Sequence, residues 1–380
     1  MRILVLTGII NERSAAKVSL RLAQQFRKMG HNIMVTGERA RFDKDTARKL
    51  EKIGIRVETL DNKDGNRIKA YLASFKILGK LRKYKPDIVY ANCDFPLYIA
   101  ARLFARAPVV TTFNHLQLVW HNLREELLLN YRKISVIEKL RCFVIDLYIL
   151  VISFLEFATS SAVVAGSEYS KCEVKKFGAR NTSVSYWGVD PFNINSKKVI
   201  AKKSGEIWIL SVSRLVPYKS FHRLINIFIE LKSDYPNLKL FIIGSHPNNS
   251  YYKYLQSLSS DVIFLSELSE GELSYMYENC DIYTTASNKE GFGLTIVEAG
   301  LHKKPSIAFR NSALPEVVLH KKTGFLANNE SEFKKYVTKL ITDKKLRKSM
   351  GNGAQNHAKS FTWEKCAKQY EKVFEKQINN

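Results

Sequence analysis

The chain is short of acid and of cysteine. Its 380 residues hold 36 Asp and Glu against 60 Lys and Arg, a formal charge of +24. Five cysteines (Cys93, Cys142, Cys172, Cys280, Cys366) are scattered and odd in number, with no C-x-x-C spacing. That excludes a disulfide framework as the organising device and suits a reducing, cytoplasmic setting. No H-E-x-x-H or comparable ligand spacing is present, so no metal site is expected. The one D-x-D triplet, Asp43-Lys44-Asp45, has no apolar strand running into it and reads as a helix cap. The sequence has no low-complexity segment and no fixed-period repeat. Long uninterrupted apolar runs are missing too. The N-terminal "MRILVLTGII" is broken by Asn11-Glu12-Arg13 and reads as a buried first strand rather than a leader.

What is present is a basic, globular composition with 45% hydrophobic residues. Residues 1–190 carry 32 Lys and Arg against 18 acids, and the remainder 28 against 18. Both halves are therefore basic, a field suited to phosphorylated ligands, an anionic membrane face or nucleic acid. Against nucleic acid stands the absence of RNP, zinc-finger or helix-turn-helix signatures.

Short apolar runs alternate with amphipathic stretches. Strands are expected at Arg2–Leu6, Asn32–Thr36, Arg56–Thr59, Asp87–Ala91, Val109–Phe113, Ala162–Ala165 and Thr182–Tyr186, with a helix over Ser14–Met29 closed by Gly30. A second series begins near Ile207 with "IWILSVS", "KLFIIG", "VIFL", "DIYTTAS" and "PSIAF". This is the pattern of two doubly wound α/β domains, with ligands outside the carboxyl ends of the strands. The polar, lysine-rich stretch 191–205 reads as the linker between domains 1–190 and 206–361. Residues 134–157, which contain "CFVIDLYILVISFLEF", break the pattern. They read as a buried core helix or as a helix at a membrane surface, beside Arg132, Lys133, Lys139 and Arg141.

Two stretches carry chemistry. "SRLVPYKSFHRLI" places Arg214 and Lys219 between a strand end and a helix start, with Pro217 suited to the first turn. Side-chain cations and unpaired helix N–H groups there favour an anion, although a solvated pair is the ordinary reading of that spacing alone. "SNKEGFGLTIVEAG" repeats the arrangement. Glu290 lies in the loop, Gly291 and Gly293 give an unusual main-chain path close to any ligand, and Leu294 opens a helix carrying Glu298. For a glutamate pair at this spacing, a capping acid plus a surface acid is the ordinary reading.

As an ordered set, "SRLVPYKS", "FIIG", "NKEGFGLTIVEAG" and "TGFL" resemble the second domain of family four (group 1) glycosyltransferases. The likeness reaches back to "SEYSKCEVKKFG" and "GVD" and forward to "FTWEKCAKQYEKVFE". It implies a GT-B architecture with a cleft between the domains, and a last helix, 362–380, packed back on the first one. It also implies retaining transfer of a hexose-type sugar, without a metal or other cofactor, from a UDP-, GDP- or other nucleotide-diphosphate sugar to a lipid-linked or polysaccharide acceptor. The setting would be cytoplasmic, peripheral to the membrane. Arg214 and Lys219 would neutralise the leaving diphosphate. Gly244, Gly291, Phe292, Gly293 and Leu294 would line the donor site, Glu298 would hold the ribose and Glu290 the sugar ring.

The first domain departs from the family pattern. Its cleft loop, "TGIINERSAAK", has only Gly8 where a glycine pair is frequent. After "VVTTF", either Asn114 or, with a one-residue slip, His115 takes the place of a family histidine. Trp187, the "GSHPNN" turn and Ser266 also differ. A non-catalytic nucleotide-sugar-binding subunit, or an epimerase or phosphorylase of the same architecture, remains as the alternative.

Overall fold

The structure, a computed structural model, describes residues 1–7, 16–38, 43–60, 84–92, 95–113, 118–190, 196–266 and 268–380. Two compact units divide the chain. One comprises Met1–His115, Tyr148–Gly188 and Thr362–Asn380; the other comprises Leu116–Leu147 and Val189–Phe361.

In the first unit, β1 (Arg2–Thr7), β2 (Asn32–Glu38), β3 (Arg56–Leu60), β4 (Ile88–Asn92), β5 (Val109–Phe113), β6 (Ala162–Ala165) and β7 (Thr182–Val184) form one parallel sheet in the order β3-β2-β1-β4-β5-β6-β7. Ile3, Leu4, Val5 and Leu6 are all fully buried. Covering both faces of a parallel sheet with helices demands such a continuous apolar run rather than alternation. The helices are α1 (Ala16–Lys28), α2 (Lys44–Lys52), α3 (Phe95–Phe104), the later half of α5 (Val136–Thr159), α6 (Glu168–Lys175) and α14 (Trp363–Ile378). Asp43 caps α2, accepting from the Asp45 and Thr46 amides.

In the second unit, β8 (Ile207–Val212), β9 (Leu238–Ile243), β10 (Val262–Leu265), β11 (Ile282–Thr285), β12 (Ser306–Phe309) and β13 (Gly324–Ala327) form a second parallel sheet, ordered β10-β9-β8-β11-β12-β13. α4 (Val119–Leu129), α7 (Phe221–Asp234), α8 (Asn249–Leu258), α9 (Glu270–Asn279), α10 (Leu294–Leu301), α11 (Leu314–Val317), α12 (Glu330–Thr342) and α13 (Lys344–Ala358) belong to this unit. Strand order reverses between β8 and β11, so their carboxyl ends frame the switch point.

The compact units do not follow the expected sequence boundaries throughout. Residues 116–147 were placed in a first domain of 1–190, yet they cluster with the second unit. Polar and aromatic contacts hold them there. Asn248 Nδ2 donates to Glu126 Oε1 at 2.7 Å, and Tyr131 stacks on Tyr254 at 4.9 Å between ring centroids. The described part of the 191–205 linker is likewise tied down. Lys202 Nζ lies 2.5 Å from Asp281 Oδ2, and the Lys197 amide donates to the Gly271 carbonyl at 3.0 Å.

The core-helix reading of 134–157 fits only one face of α5. Cys142, Asp146 and Phe157 are buried, whereas Leu140, Phe143, Leu147 and Val151 are exposed.

α14 completes the first unit from 340 residues away: His31 Nε2 meets Glu371 Oε1 at 2.7 Å. Tyr370 stands edge-on to Tyr90 at 5.4 Å and bonds Thr112 Oγ1 at 2.8 Å, while Phe374 packs 5.3 Å from Phe26. At the chain crossing, a Cβ on Gly188 would lie 2.2 Å from the Trp363 nitrogen, so only glycine fits. Phe374 is fully buried, so Phe374→Ala should cost about 3–5 kcal/mol. Urea unfolding followed by far-UV circular dichroism would read this; a loss below about 1 kcal/mol would show that α14 is not part of the core.

Candidate functional site

The site grows from the two loops at the switch point of the second sheet. β8 runs into Ser213–Ser220. Pro217 opens a single 3₁₀ turn, Pro217–Lys219, and Ser220 follows in the left-handed region with φ 53°. The helix therefore restarts at Phe221 without a side-chain cap. This turn draws Lys219 inward. Its side chain is only 7% exposed, and its Nζ lies 2.6 Å from Glu290 Oε1 and 5.1 Å from the centre of the Tyr218 ring. Arg214 stays exposed and donates from Nη2 to the Tyr218 hydroxyl at 3.2 Å.

The opposing loop follows β11. The Asn288 amide donates to the Tyr218 carbonyl at 3.0 Å, which stitches the two loops together beside the Lys219–Glu290 pair. The loop after β12 supports the other side: the Glu290 amide donates to Ser312 Oγ at 3.0 Å, and Asn311 Nδ2 to the Ser287 carbonyl at 3.1 Å. Gly293 carries φ +100° as the residue before α10, a conformation that favours glycine. No side chain caps α10, and the Ile296 and Val297 amides already bond the Gly293 carbonyl, so an anion or a hydroxyl would meet the N–H groups ahead of them.

Glu298, one turn into α10, accepts from the Tyr277 hydroxyl at 3.0 Å. Burial first, and then the charge of Glu298, raises Tyr277 well above the usual phenol range, so it remains a donor. Tyr283 donates to the Val212 carbonyl at 3.3 Å; burial, and behind it the charges of both Glu290 and Glu298, raises its hydroxyl. The two carboxylates thus act on one phenol between β8 and α10. Among the described residues, no three His, Cys, Asp or Glu side chains group as a metal site would require.

Of the residues singled out in the sequence, Lys219 and Glu290 are in direct contact, and Arg214 joins them through Tyr218. Gly8, Asn114 and His115 lie outside the described residues. Two of the expected donor-site residues also have packing roles. The Phe292 side chain is 1% exposed and packs against Phe361 at 5.5 Å, so it anchors the loop and leaves only its main chain to a ligand. Gly244 is a packing residue, since a Cβ there would meet the Ser213 carbonyl oxygen at 1.8 Å.

Sequence reasoning missed the support from α4. Asn122 Oδ1 accepts from the Tyr218 amide at 3.4 Å, and Glu125 Oε1 from Asn288 Nδ2 at 2.9 Å. Asn288 Oδ1 in turn accepts from Arg223 Nη1 at 3.2 Å. Both catalytic-loop candidates are therefore gripped by one helix. No spacing signal marks such contacts, because each is a single short side chain.

Comparison with known proteins gives two family models that together run from residue 15 to residue 357. "Glycosyltransferase Family 4" matches residues 15–191 and "Glycosyl transferases group 1" matches residues 192–357. The chain belongs to the group 1, family four glycosyltransferases. A glycosyltransferase of Methanocaldococcus jannaschii is 28% identical to this family member over 226 residues, 58% of this chain and 62% of the relative. A D-inositol 3-phosphate glycosyltransferase of Corynebacterium glutamicum is 32% identical over 180 residues, 44% of this chain and 43% of that protein. The chain thus spans less than two-thirds of the length of these curated relatives.

Solved structures match end to end. Anabaena HepE, crystallised with UDP and glucose, aligns with a TM-score of 0.74 at 21% identity over 99% of this chain and 100% of its own. Sucrose-phosphate synthase from Thermosynechococcus elongatus aligns at 0.75 and 15% identity, over 99% and 98%. The fold of this glycosyltransferase family member is GT-B.

Two outcomes follow from the packing. Gly244→Ala must displace the Ser213 carbonyl and with it the base of Arg214; overpacking of this kind costs about 1–3 kcal/mol. A melting temperature equal to that of the parent would show that the loop yields freely. His222, at the start of α7, is held neutral by burial and then by Arg223, its pKa lowered from 6.5 to about 4. Its contribution to stability is complete above pH 6.5 and lost as pH falls toward 4, because the unfolded chain takes up the proton first. Melting curves across that window should fall less steeply for His222→Gln than for the parent.

Proposed function

We propose that the chain transfers a hexose-type sugar from a nucleotide-diphosphate sugar to a lipid-linked or polysaccharide acceptor, with retention of configuration and without a metal. One observation carries this reading: Lys219, nearly buried at 7% exposure, is held at 2.6 Å from Glu290 where the two switch-point loops meet.

A cation in a partly dry site stabilises developing charge far better than one in water. In this reading Lys219 and Arg214 take up the negative charge of the departing diphosphate, the work a divalent ion does elsewhere. The amides at Gly291–Leu294 receive phosphate or sugar oxygens. Glu298, oriented by Tyr277, accepts from the ribose hydroxyls. Glu290 accepts from a hydroxyl of the sugar ring; engaged by Lys219, it positions the sugar rather than attacking it. The bond from the anomeric carbon to the diphosphate oxygen breaks, the acceptor oxygen bonds to the same face of that carbon, and the acceptor proton passes to the leaving phosphate. The HepE complex with UDP-glucose, at the same fold, gives UDP-sugars first place among donors to try.

A thermal-shift panel of UDP- and GDP-sugars tests donor binding. A ligand at about 100 times its Kd adds about 2.7 kcal/mol of stability and a visible rise in Tm. Lys219→Met and Glu290→Gln should each lower kcat by about 10²–10³-fold, while both variants keep a cooperative melt. No shift with any nucleotide sugar, or unchanged turnover in both variants, rejects the proposal. A shift without any glycosylated product points instead to a non-catalytic binding subunit.

A further inference from the structure

Helix α5 is long enough and apolar enough to cross a membrane, with a mean hydropathy of 2.0 in its most apolar window, yet only 17% of that window is buried. At about 100° per residue, its exposed side chains fall on one arc of about 140°. Val136, Ile137, Leu140, Phe143, Val144, Leu147, Tyr148, Val151, Phe154 and Leu155 lie there, each between 43% and 80% exposed. No charged residue interrupts the arc. The opposite side, with Cys142, Asp146 and Phe157, is packed into the protein. An apolar strip of this size, about 30 Å long at 1.5 Å per residue, is far beyond the scattered apolar exposure of an ordinary soluble surface.

Charge identifies the occupant. Lys133, Lys139 and Arg141 stand exposed around the first turns of α5. At the other end Gly178 lies against Phe154, so close that a Cβ would sit 3.2 Å from its ring, and this brings the exposed Lys175, Lys176 and Arg180 beside the strip. Arg132 is not part of this rim, because Glu126 and Glu138 engage it. Both ends of the strip are therefore cationic. Pairing with a second copy, in either direction, would set lysine and arginine against lysine and arginine. A layer of anionic headgroups over acyl chains satisfies the rim and the strip together. Spanning the bilayer would require stripping the protein from the buried face and taking Asp146 into hydrocarbon.

We propose that α5 lies in the plane of an anionic lipid surface, with its apolar arc below the headgroups and the two cation clusters among them. This docking is independent of sugar transfer, and its test needs no nucleotide sugar. The full chain is floated with phosphatidylcholine vesicles made with or without phosphatidylglycerol, at low and high salt. Anionic vesicles should carry the protein at low salt and release much of it as salt rises. Leu140→Ser, Phe143→Ser and Leu147→Ser together should weaken binding by at least about tenfold with an unchanged melting temperature, since all three side chains already face solvent. Lys175→Glu, Lys176→Glu and Arg180→Glu together should weaken the salt-sensitive part. The proposal fails if anionic vesicles do not bind at low salt, if neutral vesicles bind equally, or if the triple serine variant floats like the parent. It also fails if the parent sediments as a dimer that the serine variant turns into a monomer.

Discussion

The arrangement of the second unit depends on one ion pair, Lys219 with Glu290. Burying a lysine side chain to 7% exposure carries a desolvation cost, which the carboxylate at 2.6 Å offsets. The pair joins the loop after β8 to the loop after β11, the two loops that the reversal of strand order brings together. Around it the main chain is fixed by bonds that lead outward: Asn288 to Tyr218, Ser312 to Glu290, and α4 through Asn122 and Glu125 to both loops. A diphosphate docking at Lys219 would enter an electrostatic position already built and already desolvated, which is where fixed charges act most strongly.

The same logic explains the mixture of signs in a basic protein. An excess of cations over the whole surface serves solubility and attraction at a distance. Carboxylates inside the site suit the proposed donor, because sugar and ribose hydroxyls are hydrogen-bond donors and a carboxylate is a strong acceptor for them. Tyr277 stays protonated by burial, so it can orient Glu298 without competing with it in charge.

Much of this was legible in the sequence, and the parts that were not share a cause. The strands were visible because buried parallel strands write continuous apolar runs, as β1 does. That Lys219 and Glu290, 71 residues apart, belong to one site was implied only by family likeness, their direct ion pair was not expected, and spacing alone left both as ordinary surface charges. Local pattern also announces a helix without saying which core it joins. Hence α4, read with the first domain, clusters with the second unit, and α5 left the choice between core and surface open until exposure separated its two faces. Phe292 and Gly244 carried ligand-binding expectations because they sit within or beside the motifs, but close packing accounts for Phe292's side chain and for the absence of one at Gly244.

The return of the chain at Gly188 and Trp363 has a consequence for biosynthesis. In the first unit, Phe26 and Tyr90 lack their aromatic partners until Tyr370 and Phe374 have been made. The second unit, whose segments all precede Thr362, has its whole sequence available earlier. During translation the order of completion is thus the reverse of the order of synthesis. The nascent first sheet must wait, with one apolar flank uncovered, until α14 has emerged.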